Sequence, residues 1–226
     1  MKILIIGAGR AGLEVATHLT RIGHAVTIVD NDDAVTRRAS EQHGLVALSG
    51  DATNASVLEE ADVRQSDVVV AMLRRDADNL AVALLARAAG VHRVMVRMRD
   101  NAYRQVYASA GIHHVLSETD LITGSIATAI EHEAIRHAML LGDGSAMAFE
   151  LTVPPGSVAA GKTIMEVAAL PGFPSTSVFA AIYQVDGSVE APRGSSVVHA
   201  GTTVLVVSRA DDVGRAVKTL TDRSDS

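Results

Sequence analysis

Short runs of β-branched and aliphatic residues alternate with amphipathic stretches along the first 138 residues of the chain. This alternation predicts βαβ units in a parallel, doubly wound sheet. Strands are predicted at residues 3–6, 25–29, 45–48, 68–71, 94–97 and 114–116. Helices are predicted at residues 11–21, 33–42, 55–61, 78–89, 103–109 and 123–138.

The pattern changes after the tripeptide Gly142-Asp143-Gly144, a turn-forming sequence that predicts a domain boundary. Beyond it, strands are predicted at 148–153, 178–184 and 203–208, helices at 164–169 and 211–220, and a hairpin turn at Asp186-Gly187. The predicted fold class is therefore α/β, a Rossmann-like doubly wound parallel sheet followed by a small α+β C-terminal domain. The predicted domains are residues 1–141 and residues 145–221.

Composition agrees with this fold class and excludes several functions. Only 3% of the 226 residues are aromatic and Trp is absent, so the core must consist of Ala, Val, Leu and Ile, as in parallel strands covered by helices. A net charge of −6 argues against nucleic acid as a partner, because affinity for a polyphosphate comes largely from clustered Lys and Arg. The absence of Cys excludes disulfides and thiolate chemistry.

The first strand leads into a glycine-rich loop with Gly7, Gly9 and Gly12 at dinucleotide-fingerprint spacing. Gly7 permits a tight turn, Gly9 admits a diphosphate close to the backbone, and Gly12 lets helix and strand pack closely. Asp30 ends the second strand, where a carboxylate can accept hydrogen bonds from ribose hydroxyls. This context predicts adenine-nucleotide binding; the alternative is that the glycines serve only the turn.

Three further residues sharpen the ligand prediction. The Asp30 carboxylate would repel a 2′-phosphate, which favours NAD, ATP or ADP over NADP. Arg10 lies inside the glycine loop and is either a bidentate partner of a terminal phosphate or a solvated arginine. Asp51 follows the third strand and either accepts from an adenine amino group or, as Thr53 also could, caps the next helix.

The order of several motifs resembles the RCK family, also called the Trk/Ktr or KTN domain. The resemblance covers nearly the whole chain and rests on Gly7-Ala-Gly9-Arg10-Ala-Gly12, Asp30, Gly50-Asp51-Ala52-Thr53, Asp78-Asn79-Leu80, Arg97-Met-Arg99-Asp100, Leu116-Ser117-Glu118, Leu151-Thr-Val-Pro154-Pro155-Gly156-Ser157, Ala160-Gly161-Lys162-Thr163 and Pro192-Arg193-Gly194.

The resemblance implies site residues and ligands. Binding of NAD(H), ATP or ADP is carried over to Gly7, Gly9, Arg10, Ala11, Gly12, Asp30, Asn31, Asp51, Ala52 and Arg97, with Arg97 reaching phosphates. Glu118 matches a glutamate that helps hold a divalent cation; the alternative is a carboxylate that caps the following helix. Cyclic di-AMP is a possible second ligand of the C-terminal domain.

The resemblance also implies a function and partners. We expect a cytoplasmic gating subunit of a potassium channel or transporter, peripheral to the inner face of the membrane through that partner. Self-association into dimers and a ring-shaped octamer is expected, with an apolar stripe in residues 121–138 as a pairing face. The chain is not expected to be an enzyme. The alternatives are regulation of a cation/proton antiporter and, less favoured, an NAD-dependent oxidoreductase.

Two charged clusters invite other interpretations. Glu133 and His137 are four residues apart within the predicted last helix, which favours an exposed helix pair over a zinc site. Arg74-Arg75-Asp76 follows the fourth strand, and solvated charge is preferred there to a phosphate clamp.

Overall fold

The computed structural model describes residues 1–141, 144–184 and 187–223. The chain divides into two compact units, Met1–Thr119 and Asp120–Ser226. The sequence motifs of the predicted nucleotide site all lie in the first unit. The fold of this unit therefore determines where those residues lie relative to one another.

The first unit is a six-stranded parallel sheet in the order β3-β2-β1-β4-β5-β6. This is a doubly wound arrangement, because the chain moves outward from β1 and then crosses to β4 on the other side. The strands are β1 Lys2–Ile6, β2 Ala25–Asp30, β3 Val46–Ser49, β4 Val68–Ala71, β5 Arg93–Met98 and β6 His114–Ser117. Its helices are α1 Arg10–Arg21, α2 Asp33–His43, α3 Ala55–Glu60, α4 Asp76–Ala88 and α5 Arg104–Ser109. Helix α6, Glu118–Glu131, begins at the end of this unit and continues into the second one.

Side-chain alternation along the strands builds an apolar layer on each face of this sheet. Ile3 and Ile5 of β1 join a cluster with Ala16 of α1 and Ala39 of α2. Leu4 and Ile6 point the other way, into a cluster that includes residues of α3, α4 and α5. Strands covered on both faces need continuous apolar sequence, which explains the Val-, Ile- and Leu-rich runs.

The second unit contains an antiparallel sheet in the order β10-β9-β11-β8-β7. Its strands are β7 Ile135–Leu141, β8 Ala146–Thr152, β9 Val178–Tyr183, β10 Val189–Glu190 and β11 Thr203–Arg209, and its short helices are α7 Ile164–Ala168 and α8 Val213–Thr221. One face packs on α8, with Phe149, Val206 and Leu220 fully buried. The predicted fold class is therefore confirmed.

The predicted helix at residues 123–138 is wrong in its second half. Helix α6 ends at Glu131, and residues 135–141 form strand β7, which pairs with β8. His137 consequently contacts Glu150 of β8, with Nδ1 3.1 Å from Oε2, and does not form the predicted helix pair with Glu133. Tertiary pairing has overridden the helical spacing of the apolar residues.

This strand also moves the domain boundary. Strand β7 belongs to the second sheet, and the compact units divide between Thr119 and Asp120, earlier than the turn from which we predicted the boundary. Gly142 and Asp143 of that turn lie outside the described residues, as does Asp186 of the predicted hairpin turn.

Candidate nucleotide-binding site

The carboxyl edge of the parallel sheet brings the predicted residues into one row. Ile6 of β1 is level with Val29 of β2 and Ala71 of β4, and Ala71 is level with Val96 of β5. The next residue of each strand continues the row, in the spatial order Asp30, Gly7, Met72 and Arg97. Asp30 and Arg97 are three strand spacings apart, about 14 Å along the edge.

The glycine loop after β1 has little room for side chains at two positions. Gly7 has φ +106°, and a Cβ there would lie 3.0 Å from the carbonyl oxygen of Met72. A Cβ on Gly12 would lie 1.9 Å from the carbonyl oxygen of Gly7, so the backbone of α1 or of the Gly7 turn would have to shift. These contacts confirm the packing role proposed for Gly12.

Gly9 differs from Gly7 and Gly12 because a side chain placed at Gly9 would face open space. Within the described part of the chain, no atom lies within 4 Å of a Cβ built there. Gly9 is also the N-cap of α1 and, having no side chain, accepts no hydrogen bond from the first-turn amides in the way that a capping side chain would. The first-turn amides of α1 are therefore open donors at the positive end of a helix, which fits the phosphates of a nucleotide.

The Asp30 carboxylate is held in place by backbone amides. Its Oδ2 accepts from Ala8 N at 2.6 Å, and its Oδ1 accepts from Asp32 N at 3.0 Å. Each carboxylate oxygen can accept a further hydrogen bond, so the fixed group can take both ribose hydroxyls. The structure thus pre-orients the residue that the sequence assigned to the ribose.

The segment after β3 also lies at this edge, and its residues are presented unequally. Asp51 is exposed, and its Oδ1 accepts from Thr53 N at 2.9 Å and Thr53 Oγ1 at 2.7 Å. Those two bonds, the side-chain bond first, lower the pKa of Asp51 and keep it ionised. The N-cap of α3 is Asn54, so neither Asp51 nor Thr53 occupies the capping position proposed as the alternative.

The remaining predicted contacts differ in exposure. Arg10, Ala11 and Asn31 are exposed beside the loop and Asp30. Ala52, in contrast, is only 4% exposed and packs in the core.

Arg97 and Glu118 form an ion pair at the β5–β6 end of the row. The Arg97 Nη2 and Nε atoms lie 2.6 and 3.0 Å from Glu118 Oε2. Arg99 Nε approaches the same oxygen at 3.3 Å. Glu118 is the first residue of α6, and Arg97 and Glu118 are 23% and 34% exposed, so the pair is open to solvent.

Two buried polar residues that sequence reasoning missed support this end of the row. Asp76, interpreted above as solvated charge, is 7% exposed and accepts from the backbone amides of Arg99 and Asp100. Asn79 is fully buried: its Oδ1 accepts from Leu73 N at 2.8 Å and its Nδ2 donates to Arg97 O at 3.0 Å. Together they tie the β4 loop to the β5 loop.

Tyr107 completes this buried cluster. Its hydroxyl donates to the carbonyl oxygen of Asp76 at 3.0 Å, and its side chain is fully buried. Burial first, and then the negative charge of Asp76, raise the pKa of Tyr107 well above its usual range. The phenol therefore stays a neutral donor, as a structural contact requires.

The described residues contain no group of three or more His, Asp or Glu side chains able to hold a metal ion. Glu118 by itself supplies one carboxylate, already paired with two arginines. A cation at Glu118 remains a prediction that would need ligands from a nucleotide or a second copy of the chain.

The fold and the edge define a class of protein in which a Rossmann-like unit with a glycine-rich first loop is followed by a small antiparallel unit. A family model described as the TrkA-N domain matches residues 3–118. The chain belongs to this family, which confirms the resemblance drawn from the motifs.

Curated relatives carry Trk names. A Trk system potassium uptake protein TrkA homolog of Methanothermobacter thermautotrophicus is 27% identical over 221 residues, covering 98% of this chain and 100% of the relative. A TrkA homolog of Archaeoglobus fulgidus is 34% identical over 221 residues, covering 94% of this chain and 48% of the relative. The chain thus spans all of one relative and about half of the other.

Solved structures agree in fold. The GsuK channel bound to NAD matches with a TM-score of 0.67 and 20% identity, covering 100% of this chain and 40% of that one. A crystal structure of the GsuK RCK domain matches with a TM-score of 0.65 and 20% identity, covering 99% and 48%. Within the described residues, no helix combines the length and the apolar character needed to cross a bilayer.

Proposed function

We propose that this chain is a cytoplasmic, nucleotide-binding regulatory subunit that gates a potassium channel or transporter of the Trk/Ktr type. The observation that carries the proposal is the row at the carboxyl edge, where an open helix N-terminus lies between the fixed carboxylate of Asp30 and the guanidinium of Arg97. The names of the potassium uptake relatives and of the NAD-bound GsuK channel support it.

NAD(H), ATP and ADP are the proposed ligands. Asp30 presents a carboxylate where the ribose 2′-hydroxyl would bind, so a 2′-phosphate is disfavoured by charge. Arg10 lies at the start of α1, next to the open amides, where its guanidinium can reach a terminal phosphate. A divalent cation at Glu118 and cyclic di-AMP at the second unit remain further candidates.

Gating follows only if the nucleotide binds two conformations of the chain unequally, because a ligand with equal affinity for both shifts nothing. This regulatory role distinguishes the chain from an oxidoreductase, which would need an acid or base beside a nicotinamide. Regulation of a cation/proton antiporter is the second candidate, since the same nucleotide site could serve a regulator of either kind of membrane protein.

Self-association is part of the proposal. Helix α6 exposes an apolar stripe, with Leu121, Ile122, Ile126 and Ile130 each more than half exposed. Such a stripe on a helix suits a symmetric pairing face between two copies of the chain, and by family resemblance the pairs would form a ring-shaped octamer. Light scattering that finds a monomer both with and without nucleotide would contradict this part.

Calorimetric titration of the purified chain with NADH, ATP and ADP tests the nucleotide site. Asp30→Ala removes the acceptors for the ribose hydroxyls and should weaken binding by about 1–3 kcal/mol, the cost of charge-assisted hydrogen bonds left unmade. Asp67→Ala is the matched control, because Asp67 also accepts from a backbone amide, that of Lys2 at 2.7 Å, but just before β4 at the opposite edge. Equal affinities for the two variants would remove Asp30 from the site.

A further inference from the structure

The Arg97 guanidinium already has a carboxylate partner with which a nucleotide phosphate would have to compete. One oxygen of Glu118 receives both Arg97 contacts, at 2.6 and 3.0 Å, and Arg99 as well at 3.3 Å. The guanidinium assigned to a nucleotide phosphate is therefore already engaged by a carboxylate of the same chain. The Nε and Nη2 donors form one edge of the guanidinium, and a phosphate that binds Arg97 through this edge has to displace the carboxylate.

The position of Arg97 makes such an exchange feasible. It stands in the same row as Gly7 and Asp30, so a ligand that extends from Asp30 across the loop runs toward it. Its side chain is 23% exposed, and the pair is not sealed in the core. Its backbone, in contrast, is fixed, because the buried Asn79 amide donates to its carbonyl oxygen at 3.0 Å. The side chain can change partner while the strand stays in place.

Arg99 gives the displaced carboxylate a remaining partner. It already lies within salt-bridge distance of Glu118, and the Arg99 amide is held by Asp76 at 3.1 Å. When Arg97 moves to a phosphate, Glu118 keeps one cation and is not left unpaired. This lowers the cost of the exchange.

We infer that Glu118 is an internal competitor that sets the affinity of the site for nucleotide phosphates by occupying Arg97 in the absence of ligand. The inference rests on the proposed function, since it needs a nucleotide at this edge. It adds a role for Glu118 that differs from metal binding: the carboxylate opposes phosphate binding directly. Because Glu118 is the first residue of α6, nucleotide occupancy changes the ion pairing at the start of the helix that carries the exposed apolar stripe.

The test compares Glu118→Gln with a matched control, Glu59→Gln. Glu59 is also held by an arginine, with Arg64 Nη2 2.7 Å from its carboxylate, but at an exposed site away from the row. Both variants replace Glu by Gln, so both change the net charge equally. Dissociation constants for ATP, ADP, NADH and adenosine are measured by calorimetry in EDTA. Glu118→Ala provides a second variant without the carboxylate.

We expect Glu118→Gln to bind ATP, ADP and NADH about two- to fivefold more tightly than Glu59→Gln, the factor that corresponds to a partly exposed ion pair. Adenosine, which has no phosphate, should bind both variants equally; a general rearrangement of the site would change adenosine as well. Added magnesium separates the competitor role of Glu118 from a metal-binding role. If Glu118 bound the metal, Glu118→Gln would bind ATP more weakly than Glu59→Gln, and only when magnesium is present.

Two failures are distinguishable. If the unaltered chain binds none of the four compounds, the proposed function fails and this inference fails with it. If the unaltered chain binds nucleotides but Glu118→Gln in EDTA binds them no more tightly than Glu59→Gln, only the competitor role is overturned.

Discussion

The two halves of the carboxyl edge hold their charged groups in different ways. At the β1–β2 half, the Asp30 carboxylate is fixed by the backbone amides of Ala8 and Asp32. At the β5–β6 half, Arg97 is held by another side chain, Glu118. The loop holds the backbone donors of Asp30 in place, whereas both members of a side-chain pair can move and exchange partners. The first half is therefore suited to binding the ribose in a fixed arrangement. The second half is suited to changing its ion pairing when a phosphate binds.

The largest expected effect comes from breaking the rigid half. Gly12→Ala places a Cβ 1.9 Å from the carbonyl oxygen of Gly7, so α1 and the turn after β1 must move apart. We expect a loss of about 3 kcal/mol of unfolding free energy, the upper end for overpacking, measured by urea denaturation followed by circular dichroism. The open amides of α1 would shift with the helix, and nucleotide affinity would fall too.

Gly9→Ala is the control for that substitution. Its φ is −59° and, within the described residues, its Cβ would meet no atom within 4 Å, so stability should change by no more than about 0.5 kcal/mol. Nucleotide affinity should nevertheless fall, because the methyl group occupies the space through which a phosphate approaches the backbone. Equal loss of stability in the two variants would contradict the distinction between packing and ligand glycines.

A smaller effect is expected from loosening the support of the responsive half. Asn79→Ala leaves the Leu73 amide and the Arg97 carbonyl without their partner in a buried place, which should cost about 2 kcal/mol of unfolding free energy. Asn54→Ala is the control, since Asn54 is exposed and, among the described residues, makes no side-chain cap bond. If the two variants are equally stable in urea, Asn79 does not tie the β4 and β5 loops together.

Local sequence patterns were sufficient to predict the strands of the first unit and the site residues at the β1–β2 half of its carboxyl edge. The six parallel strands follow from apolar runs, and Asp30 follows from its spacing after the glycine loop. Asp76 was misinterpreted because it follows two arginines, which resemble solvated charge. Its actual partners are the amides of Arg99 and Asp100, more than twenty residues later, and no local pattern reveals them.

The same reason explains the error around residues 132–141. The apolar spacing of Ile126, Ile130 and Ala134 continues a helix, and intrinsic preference alone does not stop it after Glu131. Strand β7 forms because residues 135–141 pair with β8, a contact that depends on the second sheet being present. The domain boundary was misplaced as a consequence.

The most direct test of the contrast between the two halves is a structure of the chain with bound ADP. The predicted result is that Arg97 contacts a phosphate and lies beyond about 4 Å, the limit of an ion pair, from Glu118, which keeps Arg99 as its partner. Both amide bonds to Asp30 should persist in that structure. Arg97 still paired with Glu118 beside a bound nucleotide, or Asp30 released from Ala8, would contradict the account.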